Sequence, residues 1–396
     1  MSNYTCKMMG AICTLLLGVF CFPAYSGLID TDPRYQKRAA RPLMNWNMPV
    51  AANEIKIMTY NVENLFDATH DVGKQDYEYL PITSALKREC ASQGPYRKKC
   101  EETDWTVEKM NMKLGQIQKA LQAQGPYPDI LALQEVENEK VIELLVQKLG
   151  YTDFVMTKSP DARGIDVALL YNESKLKLVS FREKNLGVPG LLTRNLLVAN
   201  FTVVVRPAVG TLGVFVNHWP SQGKSSEARV QAAQALRTFV NEEAGRKTNY
   251  HAVLLGDFNT IDGDRPHPFR EVILNPTWSE KFEDAQTLFE SLKALQGIHM
   301  PPASYFYAKD GVWNRLDHIF VNKNLVDGAG MEIMPETFRI VAPEFMTRAF
   351  EYYYNQHHLY SSVIFGVPRR YNHDTKNPAV AGYSDHFPVS VKLKMN

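Results

Sequence analysis

Long apolar runs, cysteine and net charge are all scarce in this chain of 396 residues. After its first two dozen residues, no stretch approaches the roughly 20 apolar residues that a membrane helix needs, so no stable membrane anchor is expected. Lysine and arginine together number 44 and aspartate and glutamate 43, a formal net charge of +1. That balance argues against a polybasic surface over the whole molecule, although a neutral chain with one local basic patch still suits a nucleic-acid binder. Internal repeats and low-complexity tracts are also missing, which sets aside repeat architectures. What remains is 45% hydrophobic and 22% charged, the balance of an ordinary globular protein. A soft prior of about 150 residues per domain suggests two domains, but α/β sandwiches form larger single units.

Cysteine usage points to export. Three of the five cysteines, Cys6, Cys13 and Cys21, lie in a segment where Lys7 precedes an apolar run from Met8 to Phe22 and Ala24-Tyr25-Ser26 offers small residues to a signal peptidase. A signal peptide over 1–26 is expected, with a secreted or periplasmic product. Phe20 before Cys21 fits a lipoprotein signal poorly, which favours a soluble product over an anchored one. Cys90 and Cys100 are then left as an even pair in an oxidising compartment. A disulfide between them is expected, two unrelated thiols being the alternative.

Residues 27–52 read as a leading arm, rich in Pro and Arg without periodicity. From Glu54, the alternation of Ile55, Ile57, Thr59 and Asn61 predicts a strand ending at Asn61. Residues 67–104 read as a charged insertion. A helix follows, capped by Thr106 and carrying Met110, Leu114, Ile117 and Leu121 on one face. The strand Asp129-Ile-Leu-Ala-Leu-Gln-Glu135 ends in a carboxylate that must find a cation, a donor or water. Asn138 caps a second helix that Gly150 closes. Strands are predicted at Val167 to Tyr171, Leu176 to Phe181, Leu197 to Val205 and Gly213 to His218, then a helix from about Ser225 to Glu243. The apolar run from His251 to Leu255 predicts a buried strand whose mouth presents Asp257 and Asn259. Asp317 lies on a further short strand, and Asp385-His386 precedes the last. Residues 338–371 are dense in aromatics and include Tyr352-Tyr353-Tyr354, His357-His358 and Arg369-Arg370. They suit a lobe packed on the sandwich edge, and also base stacking or lipid contact.

Singly, each polar strand end is ambiguous, since an Asn or Asp closing a turn and a structural His look the same. Together, Tyr60-Asn61-Val62-Glu63-Asn64, Leu133-Gln134-Glu135-Val136, Asn217-His218-Trp219-Pro220, Gly256-Asp257-Phe258-Asn259, Arg315-Leu316-Asp317-His318 and Ser384-Asp385-His386-Phe387-Pro388 resemble the endonuclease/exonuclease/phosphatase superfamily. Its members include deoxyribonuclease-like enzymes, abasic-site endonucleases, neutral sphingomyelinases and inositol-phosphate phosphatases. The resemblance runs from about Ile55 to Leu393, in the family's motif order. It implies one domain over 53–396 with insertions near 67–104 and 338–371, built as a four-layer α/β sandwich: two mixed β-sheets face to face, helices outside.

The resemblance also implies roles. Glu135 resembles the main ligand of a divalent metal, with Asn61 and Asp385 as supporting neighbours; an all-oxygen set suits Mg²⁺ or Mn²⁺ better than zinc. Asp257 resembles the group that orients or deprotonates the attacking water, and Asn259 a donor to the phosphate. His386 resembles an imidazole contacting phosphate oxygen, held protonated by Asp317, and His218 a second imidazole near the leaving group with Asp166 as its carboxylate. Arg163 is a candidate phosphate contact, unless it is a solvated turn residue. The implied activity is that of an exported metal-dependent phosphodiesterase, first a nuclease acting on DNA or RNA. The alternatives are a sphingomyelinase-like enzyme acting on a phospholipid head group, or a non-catalytic binding protein on the same fold. No feature of the sequence sets an oligomeric state. A thiol titration of the native exported protein should find neither Cys90 nor Cys100 free; two free thiols would reject the bridge.

Overall fold

Two parallel strand pairs, each needing a long crossover, organise the molecule. The computed structural model describes residues 45–292, 300–353 and 361–396. The expected leader and the arm as far as residue 44 lie outside the described residues, as do Tyr354, His357 and His358. In chain order the strands are β1 Glu54–Leu65, β2 Ile130–Val136, β3 Asp153–Met156, β4 Asp166–Tyr171, β5 Leu176–Lys184, β6 Leu196–Val203, β7 Thr211–His218 and β8 Tyr250–Asp257. They continue as β9 Phe282–Asp284, β10 Tyr305–Tyr307, β11 Val312–Asn314, β12 Asp317–Asn322, β13 Met331–Ile340, β14 Thr347–Tyr353, β15 Ser361–Pro368 and β16 Val389–Met395. The helices are α1 Arg97–Glu102, α2 Val107–Gln122, α3 Glu139–Leu149, α4 Ser226–Ala244 and α5 Ala285–Ser291.

One sheet has the order β13-β16-β1-β2-β4-β3, the other β5-β6-β7-β8-β12-β9. Each holds one parallel pair, β1 with β2 and β7 with β8, and these adjoin antiparallel neighbours. A parallel pair cannot close through a tight turn, so a helix carries the chain back, α2 between β1 and β2 and α4 between β7 and β8. The sequence marks both helices: Thr106 Oγ1 accepts from the Lys109 amide at 3.4 Å, and Ser225 Oγ from the Ala228 amide at 3.4 Å. Asn138 caps α3 in the same way and Gly150 ends it in the left-handed region at φ 77°.

The sheets pack face to face. One buried cluster joins Ile57, Leu131 and Leu133 of the first sheet to Phe201, Val214 and Leu255 of the second. It extends outward to Leu114, Ile117 and Leu121 on α2. A second cluster seats Leu236, Phe239 and Val240 of α4 on Phe215 and Leu254. Each such side chain contributes roughly 1.5–3 kcal/mol by leaving water, which is what holds the four layers together. The mixed sandwich of the sequence reading is therefore the architecture observed. Contacts group Trp46–Asn396 as one unit. Among the described residues, no helix is long and apolar enough to cross a membrane.

Three boundaries differ from the sequence reading. β1 does not stop at Asn61 but runs on to Leu65 through a register shift, with Glu63 and Asn64 in the left-handed region at φ 55° and 61°. Phe338 to Ile340 belong to β13, whose Ile340 pairs with Val389 of β16, so the added element starts after them as the β14–β15 hairpin. Its Phe350 packs edge-on against Phe306 of β10 at 5.3 Å. The 67–104 segment is ordered by 3₁₀ turns, α1 and the Cys90–Cys100 disulfide. Lys87 Nζ donates to the carbonyls of Glu78, Cys100 and Thr103 at 2.9, 2.8 and 2.6 Å. The excursion from 81 to 104 closes on itself where the Trp105 amide donates to the Leu80 carbonyl at 3.1 Å.

Gly256 is the backbone constraint closest to the rim. Its φ of +131° and its approach to β7 leave no room for a side chain, since a Cβ would sit 2.0 Å from the Asn217 carbonyl oxygen. Gly256→Ala should lower stability by roughly 2–4 kcal/mol in urea unfolding. A midpoint within error of the parent would show that the two strands do not touch there.

Candidate active site

The parallel pairs deliver their C-terminal ends to one rim of the sandwich, and the polar strand ends meet there. In the second sheet, His218 of β7 is the register partner of Asp257 on β8, which in turn faces Asp317 of β12. In the first sheet, Asn61 of β1 pairs with Gln134 of β2. Glu135 follows at φ 62°, unusual for a glutamate, and the register of β2 against β4 shifts at this point.

Asn61 joins the two sheets. Its Nδ2 donates to Glu135 Oε1 at 3.2 Å and to Asp257 Oδ2 at 3.1 Å, while its Oδ1 accepts from the Glu63 amide at 3.0 Å. In this arrangement Asn61 turns its Nδ2 toward two carboxylates and positions both, while Oδ1, with one backbone bond, keeps a lone pair for the expected role beside a metal. Asn259 Nδ2 donates to Asp257 Oδ2 at 3.1 Å and to the Trp219 carbonyl at 3.2 Å, and so orients Asp257. The Asn259 amide adds a bond to Asp257 Oδ1 at 2.8 Å. Burial lifts the Asp257 carboxyl above the usual range to about 7, His386 opposing and Asp317 reinforcing that rise.

The two histidines sit in opposite states. His386 Nδ1 lies 2.7 Å from Asp317 Oδ2, which also accepts from Ser304 Oγ at 2.6 Å. Burial works against a charged ring, but Asp317, Asp257 and Asp385 outweigh it and hold His386 protonated well above its usual range. His218 is buried too, 3.6 Å from Asp257 Oδ2 and 3.9 Å from Glu135 Oε1, and its Nδ1 has no hydrogen-bond partner. Burial, then Arg194, Arg163 and His386, keep it neutral. Asp166 is not its carboxylate. Asp166 Oδ1 is taken by Thr157 Oγ1 at 2.5 Å, the Ser159 amide at 2.9 Å and the Ser159 hydroxyl, and no hydrogen bond joins it to His218.

Arg163 stays half exposed, its Nε 4.0 Å from Asp161 Oδ1. A second arginine, Arg194, does what the sequence reading did not anticipate. It is buried, donates from Nη2 to the Trp219 carbonyl at 2.5 Å and has Nη1 3.5 Å from Asp161 Oδ2, its leading charge partner, with Glu135 and Asp257 acting on it more weakly and its Nε without a partner. Thr193-Arg194-Asn195 precedes a plain apolar strand, so only its place beside a strand start hinted at it.

The cation question rests on Glu135 and Asp385, both about one-fifth exposed at the rim. Arg370 spans Asp385 and Glu63, its Nη2 3.4 Å from Asp385 Oδ2 and 2.7 Å from Glu63 Oε1. Two rim carboxylates suit a hard divalent ion such as Mg²⁺, which keeps several waters and takes one or two carboxylates beside a phosphate.

Residues 56–395 match the model of the Endonuclease/Exonuclease/phosphatase family. Among solved structures, a family protein from Bacteroides thetaiotaomicron is similar at 16% identity and TM-score 0.50, over 87% of this chain and 98% of that one. A mannosyl-6-phosphatase from the same organism gives 17% and 0.50 over 86% and 99%. A humanized TDP2 from D. rerio gives 14% and 0.50 over 87% and 100%. These likenesses show the fold. A search of the curated proteins finds no match to the sequence.

The His386–Asp317 pair makes a direct prediction. In Asp317→Asn, an NMR titration of the metal-free protein should show the His386 imidazole losing its proton at lower pH than in the parent, because the anion favouring the charged ring is gone. An unmoved titration would remove Asp317 from that role.

Proposed function

Since the chain belongs to the endonuclease/exonuclease/phosphatase family, we propose that it is an exported, divalent-metal-dependent phosphodiesterase that hydrolyses DNA or RNA. The observation that carries the nucleic-acid reading is a cleft of about 560 Å³ beside Asp385, whose lining includes Arg348, Arg369, Arg370 and Lys99. Arg348 and Arg370 repel each other there, and Arg348 has no carboxylate partner among the described residues. Arg370 is shared with Glu63 and Asp385 and Lys99 pairs with Glu78, so Arg348 is the guanidinium left for a phosphate oxygen of the backbone to neutralise. Export rests on the leader segment.

In this reading, Glu135 and Asp385 hold the cation, which when bound offsets negative charge on the phosphate oxygens. Asp257, fixed on both oxygens by Asn61 and Asn259, holds the attacking water in line and takes its proton. His386, kept charged by Asp317, donates from Nε2 to a phosphate oxygen, where charge grows as the transition state forms. His218 is neutral in the free protein and bonds the scissile group as a neutral imidazole, and buried Arg194 adds a fixed positive charge behind it. Each donor acts more strongly on the transition state than on the ground state, which is how it accelerates the reaction.

The test is turnover of supercoiled plasmid, single-stranded RNA, sphingomyelin vesicles and a simple bis-phosphodiester, with Mg²⁺ and with chelator. Chelator-sensitive nicking that weakens steeply with added salt is expected. Asp257→Ala and His386→Ala should each lower kcat by on the order of 10²-fold or more with the fold intact. Lipid release without nicking, or normal turnover by folded Asp257→Ala, would overturn the assignment.

A further inference from the structure

A second group of carboxylates lies outside the catalytic set. The loop after β1 and the turn between β2 and α3 bring one oxygen each from Asp71, Asp76 and Glu137 within 4.8 Å of one another. Glu137 is only 3% exposed. Its Oε2 accepts from the Asp67 amide at 2.7 Å, but its Oε1 has no hydrogen-bond partner. A carboxylate oxygen withdrawn from water and given no donor is costly, and two further carboxylates beside it add repulsion.

The nearby cations are engaged elsewhere. Lys140 Nζ pairs with Asp67 Oδ2 at 2.9 Å, and Lys74 Nζ donates to the carbonyls of Ser159 and Asp161 at 3.0 Å each. His70 Nδ1 lies 2.5 Å from Asp76 Oδ1, the Asp71 amide donates to Asp76 Oδ2 at 2.6 Å and Asn138 Nδ2 to Asp71 Oδ2 at 3.1 Å, and none of these reaches Glu137 Oε1. An entry path is present: a cleft of about 570 Å³ is lined by Asp67, Asp71, Glu137 and Asp166, and by none of Glu135, His218, Asp257 or His386.

We propose that Asp71, Asp76 and Glu137 bind a hard divalent cation, Ca²⁺ or Mg²⁺, at a structural site distinct from the catalytic one. The donors are all oxygen, which selects a hard ion over zinc. The bound cation satisfies Glu137 Oε1 and fastens the loop after β1 to the start of α3. Glu137 is two residues beyond Glu135, so the same clamp steadies the strand end that carries the rim carboxylate.

The experiment uses the mature protein with Glu135→Gln and Asp385→Asn, which remove the rim carboxylates, stripped with chelator and titrated with CaCl₂ by calorimetry. One Ca²⁺ per chain is expected. Thermal unfolding at a hundredfold excess over Kd should rise by on the order of 5 °C. Adding Asp71→Asn, at a half-buried position, should weaken binding at least tenfold, and titration of the otherwise unaltered protein guards against a folding defect in the variants. No heat of binding with an unchanged Tm, or binding that Asp71→Asn leaves unaltered, overturns the site.

Discussion

Two carboxylates from different sheets approach the same point, and one carboxamide keeps them there. Asn61 donates to Glu135 on one side and to Asp257 on the other, so the seam between the sheets is closed by a neutral group that relieves repulsion without cancelling either charge. A lysine in its place would discharge the rim, and an apolar residue would leave two buried anions facing one another. The surrounding order follows from this need. Ser384 Oγ donates to the Asn61 carbonyl at 2.7 Å, and the His386 amide donates to Ser384 Oγ at 3.1 Å, so the chain before β16 is tied to the same residue.

Much of this was legible in the sequence because the rim is made of strand ends. Period-two alternation located β1 and β6, caps at Thr106 and Asn138 located α2 and α3, and a polar residue closing an apolar run located each rim group. What alternation could not convey is what happens after a strand loses its period. The left-handed turns at Glu63, Asn64 and Glu135 are set by contacts across the seam, not by local preference, so β1 was read as four residues too short. Strand β13 was hidden for a related reason: it contains Pro335 and a register shift, and its pairing partner β16 lies some fifty residues on.

Residue identity was easier to read than residue partnership. Asp317 and His386 are 69 positions apart and still pair as their motifs implied. Asp166 did not pair as expected, because two hydroxyls seven and nine residues before it, on Ser159 and Thr157, reach its carboxylate first. Short-range hydroxyl donors of that kind compete with any distant imidazole and leave no periodic trace. Arg194 shows the converse: nothing next to it in sequence marks it as polar machinery, and its surroundings, Trp219, Asp161 and the more distant Glu135 and Asp257, come from elsewhere in the chain.

The excursion between Leu80 and Trp105 has a meaning for how such a protein changes over time. Its two ends are already hydrogen-bonded to each other, and its disulfide and lysine tie it internally. Because closing a loop costs little more as the loop lengthens, a segment anchored this way is a cassette: it can be shortened, enlarged or exchanged while the strands on either side keep their places. One flank of the rim is therefore free to diversify, and the chemistry inherits new surroundings without having to be rebuilt.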